Sequence, residues 1–146
     1  MKYYILAIFF IGCVDPPIVD HFELVEEETI IAVVAEPDKL LDAIIYVESR
    51  GDDSAIGDGG LAVGCLQIHP IAVREVNRLI KSDEYTLDDR YDRSKSIEMF
   101  NIIRWHTLNE SYEKLARNWN GGSNGHKKKS TIKYWKKVNK RLHSHK

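Results

Sequence analysis

The sequence predicts an all-α domain. Apolar residues recur at helical spacing in several segments, no run alternates apolar and polar residues as a half-buried strand would, and the periodic segments are separated by polar or glycine-rich turns. An apolar content of 43% with 29% charged residues describes an ordinary globule rather than a disordered or membrane-embedded chain. At 146 residues the chain is one domain, able to bury about two-thirds of its unfolded surface.

The first segment is not part of that globule. Tyr3 to Gly12 is an apolar run behind a single Lys2, too short to span a bilayer, and it reads as an export signal. Phe10-Ile11-Gly12-Cys13 resembles a bacterial lipobox, so Cys13 would be the lipidated first residue of the mature protein and its membrane anchor. The expected organisation is a signal over 1–13, an acidic tether or pro-region over 14–36, and the folded domain over 37–146. Val14-Asp15-Pro16-Pro17 opens the tether, and Thr29 to Ala35 fits a short strand or an extra helical turn equally well.

Asp38 to Arg50 reads as a helix with a buried stripe of Leu40, Leu41, Ile44 and Ile45. The next helical step along that stripe is Glu48. A carboxyl on the core face is desolvated, which disfavours its charged form, and a helix ending near Gly51 turns its negative dipole end the same way. A carboxylic acid kept protonated near neutral pH is what general-acid cleavage of a glycosidic bond requires. The bland alternative is a glutamate at a frayed helix end that reaches water.

Gly51 to Gly64 holds five glycines with Asp52, Asp53 and Asp58, which suits a mobile wall of a cleft. Pro70 sits well in the first turn of a helix through Lys81, and Ser82 to Arg90 reads as a polar loop. Ser94 is the expected cap of a helix apolar on more than one side (Ile97, Met99, Phe100, Ile102 and Ile103), hence a buried central helix. Tyr112, Leu115, Ala116 and Trp119 form the stripe of a further helix ending at Asn118. After a Gly-rich turn, Ser130 starts the last helix, with Trp135, Val138 and Leu142 on its buried side.

Three blocks stand in order along these elements: Glu48-Ser49-Arg50-Gly51, Gly64-Cys65-Leu66-Gln67-Ile68, and Ala116-Arg117-Asn118-Trp119-Asn120-Gly121-Gly122. The ordered set resembles the soluble lytic transglycosylases and goose-type lysozymes, from about Asp38 to Tyr134. Cys65-Leu66 stands where Leu-Met is usual, and Trp119 takes a Tyr position. The resemblance implies a lysozyme-like helical domain with a Gly-rich cleft loop, acting on peptidoglycan with Glu48 as the catalytic acid. It implies that Ser49 contacts substrate or orients Glu48, that Gln67 supports the acid, and that Trp119 and Asn120 line the N-acetylmuramic acid site. Tyr134 is a further substrate-binding candidate. The residue types suit a sugar site, since Gln67 and Asn120 are donor and acceptor together and Trp119 offers a flat apolar face. Core packing is the competing use of Trp119.

The same resemblance leaves two reactions open. Inverting hydrolysis needs a second carboxylate to activate water, and Asp58 matches one such residue of the goose-type lysozymes. A second Asp of that family falls at His69, so the hydrolase pattern is incomplete. Lytic transglycosylases use one Glu as acid and then base, the muramic 6-hydroxyl attacking to give a 1,6-anhydro end. That reaction is the expectation here, with lysozyme-type hydrolysis and a non-catalytic wall-binding protein as alternatives.

Other chemistry is weaker. Cys65 and His69, four apart, could pair as thiol and base, but a packed thiol suits the motif better. A Cys13–Cys65 bridge conflicts with Cys13 lying at the export signal. His126, His143 and His145 with Cys65 lack metal-ligand spacing, and neither a metal nor a cofactor is expected. Charge is split: from Val14 to Asp42 nine acids face Lys39 alone, whereas His126 to Lys146 carries nine bases and no acid. The basic end suits an anionic cell-wall polymer, and no nucleic-acid module accompanies it. The location implied is exported: periplasm or cell envelope, with or without a lipid anchor, or a phage enzyme acting at the wall.

Overall fold

The computed structural model describes residues 38–106 and 110–144, all within one compact unit spanning Pro37–Lys146. The export signal, Cys13 and the acidic stretch lie outside the described residues. Five α-helices and one two-stranded hairpin make up the described fold: α1 (Lys39–Ser49), β1 (Ile56–Gly57), β2 (Ala62–Val63), α2 (Pro70–Ile80), α3 (Arg93–Trp105), α4 (Tyr112–Gly121) and α5 (Ile132–Leu142). The domain is mostly helical, as its periodicity requires. None of these helices is long and apolar enough to cross a membrane.

Helix α1 is the centre of the core. Asp38 caps it, its carboxylate accepting from the Leu40 and Leu41 amides at 3.1 and 3.2 Å. Leu40, Leu41, Ile44 and Ile45, the stripe read from the sequence, are all buried, and Ala43 is buried with them. Each fully buried aliphatic side chain of this kind contributes about 1.5–3 kcal/mol. Arg50, in the left-handed region at φ 61°, ends the helix one residue before the expected glycine. Helix α5 packs against α1 and α4, and α2 packs against α3.

Several boundaries differ from the sequence reading. Helix α3 starts at Arg93 because Asp92, not Ser94, is the cap: its carboxylate accepts from the Lys95 amide at 2.9 Å. Ser96, Met99 and Phe100 are its buried residues while Ile97, Ile102 and Ile103 are only partly covered, so α1 rather than α3 is the most enclosed helix. Helix α4 runs on past Asn118 to Gly121, whose carbonyl accepts from the Lys128 ammonium at 2.6 Å. A short 3-10 turn over Lys129–Thr131 precedes α5, delaying its start to Ile132. The buried residues of α5 are Tyr134 and Val138, with Trp135 and Leu142 at the margin.

The Gly-rich segment builds a hydrogen-bonded hairpin. Ile56 pairs with Val63 and Gly57 with Ala62, and Val63 bonds again with Ile68 on the way into α2. Gly64, at φ 78°, is required here. A Cβ at that position would stand 1.9 Å from the Arg90 carbonyl oxygen. Arg90, read as part of a polar loop, is buried and donates to the carbonyls of Leu87, Leu61 and Ile68 at 2.6, 3.1 and 3.2 Å. One guanidinium thus pins the hairpin to the segment before α3, with its charge shared among backbone acceptors.

Candidate active site

Glu48 lies in the last turn of α1, partly buried, where the apolar stripe leads into the face covered by α5 and α4. The Tyr134 hydroxyl donates to Glu48 Oε1 at 2.8 Å. Burial raises the Glu48 pKa to about 7 and outweighs the stabilisation of its charged form by Tyr134 and, more weakly, by the Trp119 side chain. The negative charge of Asp58 pushes in the same direction as burial, and the Lys137 ammonium opposes it. Burial and the adjoining Glu48 carboxyl hold the Tyr134 phenol well above its ordinary value, so it remains a donor throughout the working range. At neutral pH Glu48 therefore populates both its acid and its carboxylate form.

Three chain segments meet at this carboxyl. Helix α1 supplies the acid, α4 supplies Trp119 and α5 supplies Tyr134. Trp119 also packs edge-on against Phe100, with ring centroids 4.9 Å apart, so it serves the core and the site together. Tyr112, expected on the same stripe, is exposed. Asn120 is exposed beyond Trp119 and Asn118 points elsewhere, its Oδ1 accepting from the His126 amide at 3.0 Å and meeting His126 Nδ1 at 2.9 Å. Gly125 makes that turn possible, since a Cβ there would approach the Arg117 carbonyl oxygen to 2.0 Å.

Ser49 and Gln67 are engaged with the backbone. The Ser49 hydroxyl donates to the Cys65 carbonyl at 2.8 Å and accepts from the Gly51 amide at 3.1 Å, tying the end of α1 to the segment leaving the hairpin. Gln67, itself at φ 49°, gives its amide hydrogens to the carbonyls of Ala55 and Gly64 at 3.1 and 3.0 Å. Both brace the wall beside Glu48. The substrate and acid contacts that the resemblance implied for them are not among these bonds.

Asp58 stands at the hairpin turn in the left-handed region, φ 47°, its side chain open to solvent. Its Oδ2 lies 3.1 Å from His69 Nε2. His69 is thus committed to Asp58, and the Cys65 thiol is buried, free and pushed up to about 11, chiefly by that burial. A thiol in that state is a packed residue rather than a nucleophile. Among the described residues no three His, Cys, Asp or Glu gather as a metal site; His143 Nδ1, for one, bonds the Asn139 carbonyl at 2.8 Å. A groove of about 370 Å³ lies along the solvent side of α1, between Lys39, Asp42, Tyr46, Arg50, Arg93 and Arg141, and does not include Glu48.

Sequence reasoning missed the linking roles of Arg90 and His69 and the influence of Lys137 on Glu48, and named Tyr134 without its partner. Tyr134 had a legible signal: it lies four residues before Val138, a polar-tipped aromatic on the buried side of the last helix.

The fold and site together define a helical domain built around one partly buried carboxylic acid with hydrogen-bonding and aromatic neighbours. The family model of the transglycosylase SLT domain matches residues 33–142. The chain belongs to that family, a lytic transglycosylase-type family acting on peptidoglycan. Neither the curated proteins nor the solved structures compared with it returned a match.

Proposed function

We propose that this protein is a peptidoglycan lytic transglycosylase that cleaves the β-1,4 bond between N-acetylmuramic acid and N-acetylglucosamine, with Glu48 as acid and then base. The observation that carries the reading is the Glu48 carboxyl itself, partly buried, bonded to Tyr134 and pushed up to about 7 by burial. Its protonated form gives a proton to the glycosidic oxygen as the C1–O bond breaks. The carboxylate left behind accepts the proton of the muramic 6-hydroxyl as that oxygen closes on C1. No water is consumed, and the product carries a 1,6-anhydro ring. Tyr134 supports the second half by donating to the carboxylate, and Trp119 and Asn120 are the proposed sugar contacts.

Lysozyme-type hydrolysis is the second reading, favoured by one observation: Asp58 is near enough to Glu48 to bias its titration. Mass analysis of digested peptidoglycan separates the two, because anhydro and reducing ends differ by one water. Anhydro ends that vanish in Glu48→Gln are the expected result. Reducing ends from the parent would favour the hydrolase, and the absence of any cleavage would favour a wall-binding protein.

The wider setting extends the same proposal. Export through the 1–13 segment, with Cys13 as a lipid anchor, would deliver the domain to the wall. The exposed lysines of the C-terminal segment, Lys127, Lys129, Lys133 and Lys136 among them, suit an anionic wall polymer.

A further inference from the structure

His69 and Asp58 form a pair whose geometry is set by the fold on both sides. Arg90 holds the Ile68 carbonyl at 3.2 Å, Pro70 opens α2, and the His69 carbonyl accepts from the Ala72 amide at 2.9 Å, so the backbone under the imidazole is fixed. The Val63–Ile68 bridge then brings the start of α2 beside the hairpin turn that carries Asp58. The resulting contact, His69 Nε2 to Asp58 Oδ2 at 3.1 Å, occurs between side chains that are 40% and 70% exposed. An exposed pair adds only about 0–1 kcal/mol to folding. Its weight falls instead on what Asp58 can do, because Asp58 is the carboxylate whose charge reaches Glu48.

We infer that His69 is a positioning residue that engages Asp58 and keeps it from activating water, so that the bond Glu48 breaks is closed by the muramic 6-hydroxyl. The inference rests on the lytic transglycosylase reading above. In the competing hydrolysis, a water oxygen would form the bond to C1, its proton would pass to Asp58, and the glycosidic oxygen would leave with the proton of Glu48. A general base must offer a free lone pair to that water at hydrogen-bond distance. The imidazole N–H takes one lone pair of Oδ2 and ties Asp58 to the start of α2, so the carboxylate is not free to turn to a water elsewhere. Where the resemblance to goose-type lysozymes implies a further Asp, this chain carries the imidazole that restrains Asp58.

The experiment uses the nitrogen that makes the contact. The side-chain amide of Gln can reproduce Nε2, whereas that of Asn reproduces Nδ1 and falls short of Asp58. Asn is the better N-cap of the two, so a change of products in His69→Asn cannot come from a weakened start of α2. Purified full-length parent, His69→Gln, His69→Asn and His69→Asn/Asp58→Asn are incubated with purified peptidoglycan, and the ends are counted by mass. The parent and His69→Gln should yield anhydro ends. His69→Asn should raise the ratio of reducing to anhydro ends about tenfold, a small part of the ~10²–10⁴ that a positioned base supplies. The double variant should return to the parent ratio. Unchanged products from His69→Asn, or reducing ends that persist in the double variant, would overturn the inference and leave the transglycosylase reading standing. Reducing ends from the parent would overturn both.

Discussion

Two carboxylates face the same region of this protein and are held in opposite ways. Glu48 projects from the best-buried helix, against Tyr134 and Trp119, and its environment costs the charged form so much that it titrates near 7. Asp58 stands on a hairpin turn in water and is met by His69. The contrast separates two kinds of control. Burial sets the proton affinity of the first group, and a single exposed contact sets the orientation of the second. Changes at Glu48 should therefore register in rate and in pH-dependent stability, and loss of the His69 contact to Asp58 in product identity.

The largest expected effect is at Glu48. Glu48→Gln should lower wall lysis by several orders of magnitude, since an amide is isosteric but cannot serve as the acid. It should also melt above the parent at alkaline pH. The sign follows from proton binding. The folded carboxyl titrates near 7 and an unperturbed one near 4.5, so between those values the folded state holds the extra proton and stability falls as pH rises. Above pH 7 the burden on the parent is full, roughly 3 kcal/mol, and below pH 4.5 it disappears. Parent and variant melting temperatures that run parallel from pH 4 to 8 would contradict the buried-acid description.

Tyr134→Phe removes the donor that stabilises the charged form of Glu48. Lysis should drop about ten- to a hundredfold, the equivalent of one hydrogen bond to a charged group. The alkaline limb of the pH–rate profile should move upward, because the remaining influences, burial first, raise the Glu48 pKa. A profile unchanged in position would show that the hydroxyl serves packing alone.

The hairpin that carries Asp58 has its own weak point. Gly64→Ala would drive a methyl group into the Arg90 carbonyl and should cost about 2–4 kcal/mol in urea unfolding, within the range of strained core substitutions. Asp58→Asn, by contrast, should keep lysis within about threefold of the parent, the range expected for an exposed polar substitution outside the reaction. A collapse matching that of Glu48→Gln would move the assignment to the hydrolase.

The smallest effect is expected at the basic surface. Lys127, Lys129, Lys133 and Lys136 are exposed, whereas Lys128 supports Gly121 and Lys137 biases Glu48, so the first four are the ones to reverse. The Glu variant should stay within about 0.5 kcal/mol of parent stability. Its binding to insoluble wall should weaken and lose its salt dependence, because screened attraction has been removed. Equal binding at low salt would reduce the patch to a solvated face.

How much of this was legible depends on the range of the interaction. The sequence by itself determined the all-α class, the buried stripe of α1 and the place of Glu48 at its end, because a helical period is written locally and a carboxylate breaking that period is visible at once. It determined Pro70 as a helix start for the same reason. Cap choice was less decisive, since Asp92 and Ser94 are both good caps and only the backbone geometry selects Asp92. What needed the tertiary structure was every pairing across the chain: Tyr134 on Glu48, Arg90 under the hairpin, Ser49 on Cys65, and His69 on Asp58. The helical period in α5 marks a buried side without naming the residue it will face. Gly64 reads as one more loop glycine until the Arg90 carbonyl lies against it. Partner identity is a property of packed surfaces distant in sequence, and neither composition nor periodicity encodes which two surfaces meet.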